Sequence, residues 1–110
     1  MKTLTISLLL LASGACHKKD ITSGNPKCLD AKIAEYSANS SCSDPSVSEY
    51  KFQGKTVYAF EPGTCGADMT TEVIDSGCNT LGFLGGIMGN TKINGEDFSN
   101  ATLVKMTWMK

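Results

Sequence analysis

The sequence predicts an α+β domain: one short N-terminal helix packed on an antiparallel sheet of about four strands and stapled by disulfides. Apolar residues recur at three- and four-residue steps over Cys28–Ala38, then at two-residue steps from Val47 onward. Four cysteines, Cys28, Cys42, Cys65 and Cys78, form an even set in the same part of the chain. The 110 residues divide into an N-terminal signal at 1–15, a modified N-terminus and tether at 16–27, and one small globular domain at 28–110. Without its signal the chain has about 95 residues, enough for a single small core.

Lys2, the apolar run Leu4–Ala12 and the small residues Ser13, Gly14 and Ala15 form an export signal that is removed from the mature protein. The run is too short to span a bilayer, which takes roughly 18 apolar residues. His17 to Pro26 is polar and closes with Ser23–Gly24–Asn25–Pro26, so it reads as a tether. Cys28, Leu29, Ile33 and Tyr36 then line one side of a helix of about three turns, with Asn25 or Lys27 near its start, Pro26 suited to its first turn and Asn39–Ser40–Ser41 ending it. Asp44–Pro45–Ser46 is a turn.

Val47–Gln53 and Lys55–Glu61 read as two strands joined across Gln53–Gly54, where glycine supplies the positive φ of a tight hairpin. A two-residue loop pairs Tyr50 with Val57, Phe52 with Lys55, Glu49 with Tyr58 and Val47 with Phe60. Both faces of this hairpin then carry apolar groups. One packs on the helix; the other requires a cover that the sequence does not identify. Pro62–Gly63–Thr64 turns the chain, and Thr70–Asp75 is a third strand around Val73 and Ile74. Residues 77–95 alternate glycines with Leu81, Phe83, Leu84, Ile87 and Met88, which predicts tight turns pressed against a core. Asn94–Gly95 is a further turn signal. Leu103–Trp108 alternates again and closes the sheet, with Val104, Met106 and Trp108 on one face.

An exported chain meets an oxidising compartment, and a small domain benefits from covalent staples. Four cysteines allow three pairings. Proximity in sequence favours Cys28–Cys42 and Cys65–Cys78, each closing a loop of about 15 residues worth roughly 3 kcal/mol. Neither pair has the two-to-four-residue spacing of a zinc ribbon, so no metal is assigned.

The sole histidine, His17, lies in the tether, so the domain has no histidine-activated nucleophile and no histidine-based catalytic zinc. Asp68, Glu72 and Asp75 are the clustered carboxylates that calcium binding or a glycosidase-type acid/base pair would need; the bland reading is a solvated strand face. Gly82–Gly89 lacks the lysine and hydroxyl residue of a phosphate-binding loop. Tyr58, Phe60, Phe83 and Trp108 would suit a binding surface but are expected in the core. All ten basic residues are lysines, and no basic cluster follows Lys18–Lys19. Nucleic acid is therefore not expected as a partner. Asn39–Ser40–Ser41 and Asn100–Ala101–Thr102 fit the glycosylation sequon, which matters only in a eukaryotic secretory pathway.

Ser13–Gly14–Ala15–Cys16 resembles the lipobox of bacterial lipoproteins, which are cut before the cysteine and acylated on it; Ser13 stands where leucine is usual. Ser13 and Ala15 also satisfy the small-x-small rule of plain secretion, which would leave Cys16 a free thiol. Lys55–Thr56–Val57–Tyr58, Phe60, Pro62–Gly63–Thr64–Cys65–Gly66–Ala67–Asp68, Val73–Ile74–Asp75, Cys78 and the Leu81–Gly89 stretch make residues 28–110 similar to a family of small Bacteroidota outer-membrane lipoproteins of unknown function. The resemblance implies lipidation at Cys16 and an anchor in the outer membrane, and supplies no activity and no cofactor. The expectation is a non-enzymatic, lipid-anchored envelope protein that works by binding an envelope partner or serves a structural role. The alternatives are an inhibitor-like binder of a hydrolase, presenting an exposed aromatic loop, and a small hydrolase using Asp68, Glu72 or Asp75.

Overall fold

The computed structural model describes residues 25–110. The export signal, Cys16, His17 and most of the tether lie outside the described residues. Helix α1 spans Lys27–Asn39. Pro26 caps it rather than entering its first turn, its carbonyl accepting from the amides of Leu29 and Asp30 at 3.0 and 3.3 Å. Leu29 and Ile33 are buried, and Tyr36 extends their stripe by another turn. At the far end the Asn39 side chain donates from Nδ2 to the Glu35 carbonyl at 2.9 Å, and the chain leaves helical geometry at Ser40.

Seven strands follow: β1 (Ser46–Phe52), β2 (Lys55–Glu61), β3 (Thr70–Asp75), β4 (Thr80–Gly85), β5 (Lys92–Ile93), β6 (Glu96–Asp97) and β7 (Thr102–Met109). Five form one antiparallel sheet in the order β4-β3-β2-β1-β7, and β5 and β6 form a separate ribbon. The sheet thus has five strands where about four are expected. The addition is β4, which lies in the glycine-rich stretch read as turns. It pairs with β3 from Thr70↔Gly85 to Ile74↔Thr80.

The β1–β2 register matches the expected pairing at every position, from Phe52↔Lys55 to Ser46↔Glu61. Gln53 and Gly54 both have positive φ, 53° and 76°, the mirror-image turn whose twist suits a two-residue hairpin. Period two then sorts the sheet into two faces. Val47, Tyr58, Phe60 and Ile74 meet Leu29 and Ile33 of the helix, with Trp108 at the margin. The Tyr36 ring meets Phe60 edge-on at 5.1 Å.

The opposite face carries Phe52, Val57, Ala59 and Val73. Its cover is the ribbon and the 3-10 turn Phe98–Asn100: Ile93 is 1% exposed there, and the Phe98 ring meets Tyr50 edge-on and Phe52 at a tilt, each with centroids 5.0 Å apart. Helix, sheet and ribbon make three layers. This is why β2 reads as an almost unbroken buried run, for it is the middle strand with both faces covered.

Strand β7 departs from the expected alternation. Its pairing jumps from Val47↔Trp108 to Ser48↔Met106, and from Glu49↔Lys105 to Tyr50↔Leu103. Thr107 and Val104 are the inserted residues of two bulges, and each insertion reverses the parity of the strand. Trp108 therefore lies opposite Val47 on the helix side, whereas Met106 lies opposite Ser48 on the ribbon side. They do not share a face.

The disulfides correct the expectation drawn from proximity in sequence. Cys28 bonds Cys78 and Cys42 bonds Cys65. The second pair follows from the hairpin. Continuing the Ser46↔Glu61 register outward by four more positions brings Cys42 opposite Cys65. The first follows from helix docking: Leu29 reaches Ile74 in the core, which sets Cys28 beside the turn after β3.

Candidate interaction surface

The three carboxylates singled out in the sequence are not brought together. Asp75 closes the turn into β4, accepting from the amides of Gly77 and Asn79 at 2.9 Å each. Those bonds, the one from Asn79 foremost, hold its pKa below the usual carboxylate value. Glu72, inside β3, accepts from the Thr80 hydroxyl at 2.6 Å and pairs with Lys32 at 3.4 Å. Asp68 sits in the loop before β3 with φ of 60°. Among the described residues no group of three or more His, Cys, Asp or Glu side chains could hold a metal ion. Nor is any described helix long and apolar enough to cross a membrane.

Two ends of the sheet differ in character. Strands of six residues separate them by roughly 20 Å. At one end β3 begins at Thr70 and β4 finishes at Gly85. A cleft of about 320 Å³ opens there, lined by Asp44, Glu61 and Asp68 with Thr64 and Met69, and no lysine borders it. Asp44 accepts from the Thr64 hydroxyl at 2.7 Å and the Thr64 amide at 3.1 Å, and these bonds lower its pKa.

The chain leaves β4 at the same end in a tight reversal. The Gly85 amide donates to the Asn90 carbonyl at 2.8 Å and the Asn90 amide returns the bond at 3.1 Å; the Gly89 amide closes the turn on the Gly86 carbonyl at 3.0 Å. The Gly86 amide ties this finger to the Met69 carbonyl at 3.1 Å, and the Asn90 side chain donates to the carbonyls of Phe83 and Lys92. Gly85 has φ of +81°, and a Cβ there would stand 2.9 Å from the Met69 carbonyl oxygen, so the close approach requires glycine. At the tip, Ile87 and Met88 are 85% and 91% exposed.

A hydrogen-bonded frame thus presents two large apolar side chains to solvent. Burying each on a partner would be worth about 1.5–3 kcal/mol, which folding leaves unused. The sequence pattern predicts these residues against the core, and the structure presents them to solvent instead. Their signal was the bracket itself, Gly85–Gly86 and Gly89 enclosing just two apolar residues in a hairpin loop. Among the expected core aromatics, Tyr58 and Phe60 are buried, Trp108 is partly buried and Phe83 is half exposed. Leu103, Val104, Met106 and Met109 add exposed apolar surface along the open edge of β7.

At the other end lie the β1–β2 turn, the β3–β4 turn and the start of α1. A shallow cleft of about 770 Å³ there is bordered by Asn25 and Pro26, where the described chain begins, and by Lys51, Lys55 and Lys105. The ribbon turn Asn94–Gly95 is clipped to the β1–β2 turn by the Gln53 side chain, whose Nε2 donates to the Glu96 carboxylate at 3.1 Å.

Residues 31–110 match the model of a family described as a domain of unknown function, DUF6970. No curated protein and no solved structure matches the chain.

Proposed function

We propose that this chain, which belongs to the DUF6970 family through residues 31–110, is a lipid-anchored envelope protein that binds a protein partner through its glycine-framed finger. One observation carries the reading. Ile87 and Met88 are held exposed at the sheet end opposite the point where the chain arrives from its N-terminus. In a bacterial lipoprotein that arrangement turns the apolar tip away from the bilayer.

Cys16 carries the anchor in this reading, and the outer membrane is its site. Two or three acyl chains, at about 0.8 kcal/mol per buried methylene, hold a domain of this size stably. The molecule works by recognition rather than catalysis. The finger is framed by backbone hydrogen bonds among Gly85, Gly86, Gly89 and Asn90 and to Met69, which limits the ordering entropy lost on binding. A second reading, an inhibitor-like binder of an envelope hydrolase, draws on the same rigid loop, although the loop is aliphatic where an aromatic one is expected.

Two variants test the proposal. Replacing Cys16 with alanine is expected to release the protein from the membrane fraction, and retention would count against the anchor. A photo-crosslinking residue at position 88 is expected to capture one stoichiometric envelope protein in living cells, while the same residue at position 99 is expected to capture none. Tight one-to-one inhibition of a hydrolase by the purified protein, abolished by Met88→Ser, would favour the second reading.

A further inference from the structure

We infer that the cleft bordered by Lys51, Lys55 and Lys105 rests on the anionic phospholipid headgroups of the bilayer to which Cys16 is acylated, and so fixes the orientation of the domain. The inference rests on the anchor reading above and adds a second, electrostatic contact to it.

Chain length and charge carry the argument. Asn25 and Pro26 border this cleft, so the chain from Cys16 arrives beside the three lysines. The nine steps from Cys16 to Asn25 reach at most about 32 Å when fully extended. The acidic cleft and the finger stand a further strand length away. All three lysines are exposed, and among the described residues none forms an ion pair.

Lys51 donates to the Thr56 hydroxyl at 3.0 Å, which steadies its ammonium without neutralising it. Two carboxylates share the cleft. Glu49 lies opposite Lys105 across the β1–β7 pairing, and Asp75 accepts from the amides of its own loop while also feeling the charge of Lys55. The three lysines exceed the two acids here by one, whereas Asp44, Glu61 and Asp68 outnumber the single Lys110, whose amide donates to the Pro45 carbonyl, at the far end. Screening confines the attraction to about 8 Å at physiological ionic strength, so a negative surface acts on the near end alone.

The test uses protein extracted from membranes, with the acyl group read by intact mass. It is reconstituted into vesicles of phosphatidylcholine alone or mixed with phosphatidylglycerol. Each lysine's reaction rate with a water-soluble acylating reagent is then followed by peptide mass spectrometry. At about fivefold in surface affinity per lysine, Lys51, Lys55 and Lys105 are expected to react several-fold more slowly on the anionic vesicles. Lys92 is expected to be unchanged, and high salt to remove the difference. Equal rates on both vesicles would overturn the inference while leaving the anchor in place. Protection seen only in native membranes would overturn it in favour of a protein contact. If the intact mass shows no acyl group, the anchor reading falls. The inference, which needs that anchor, falls with it whatever the lysine rates.

Discussion

Removing the Cys28–Cys78 bridge by a double alanine substitution is expected to destabilise the domain by about 4 kcal/mol. The figure comes from the loop it closes: a sequence separation of 50 sets the chain entropy that the bridge withholds from the unfolded state. Cys42–Cys65, with a separation of 23, is worth about 3.5 kcal/mol on the same scale. Small domains hold about 5–15 kcal/mol in all, so either loss is a large fraction. Trp108 is the sole tryptophan and lies against the helix-side core, so its fluorescence reports unfolding. With a urea slope of about 1–2 kcal/mol per molar, the midpoint is expected to fall by roughly 2–4 M. Connectivity is checked separately by a non-reduced tryptic digest. The pairing described here links the peptides beginning at Cys28, Ile33 and Thr56 into one species, and cleavage after Glu72 then separates Cys65 from Cys78. A digest in which the first two peptides leave together without the third would refute the reasoning. So would a midpoint shift well under 1 M.

Ile93→Ala is expected to cost about 2–4 kcal/mol, because this side chain is 1% exposed beneath the second face of the sheet; calorimetry showing a loss within the range of ordinary surface changes would mean the ribbon is not a true layer. Acid should destabilise the protein through Asp44, Asp75 and Asp97, whose folded pKa values are all lowered by hydrogen bonds. Protonation is harder in the folded state, so their contribution is complete above the unfolded value near pH 4 and is lost as pH falls through the lower folded values. Thermal melts from neutral pH downward should show this decline, and Asp44→Asn should make it shallower.

The hairpin was legible because its signals are local: Gln53–Gly54 set the turn, and the turn set the register of fourteen residues. That register also contained one disulfide, since Cys42 and Cys65 continue it. Distance along the chain pointed elsewhere because two strands and a turn separate residues that the hairpin brings together. Strand β4 was hidden by its glycines. Gly82 faces the ribbon, where a Cβ would stand 3.0 Å from the tip of the Ile93 side chain, so glycine eases a tight layer contact at a position where composition suggests a loop. The bulges of β7 have no sequence signature, and each one reverses which side chains point inward. The cover of the second face was written in pieces too short to read as a layer: two dipeptide strands around Asn94–Gly95 and one turn carrying Phe98. The finger was legible as a turn but not as exposed, because solvent access depends on what Met69 and Asn90 hold in place.

The position of the Cys28–Cys78 bridge has a mechanical consequence. A pull on the chain ahead of Asn25 reaches Cys28 within three residues, and from there a covalent path leads directly to the turn joining β3 and β4. Tension therefore bypasses the helix, which would otherwise peel from the sheet turn by turn. It is delivered instead along β3, whose two hydrogen-bonded neighbours resist in shear, all their bonds at once. A domain dragged by its leash would yield only when that ladder slides as a unit.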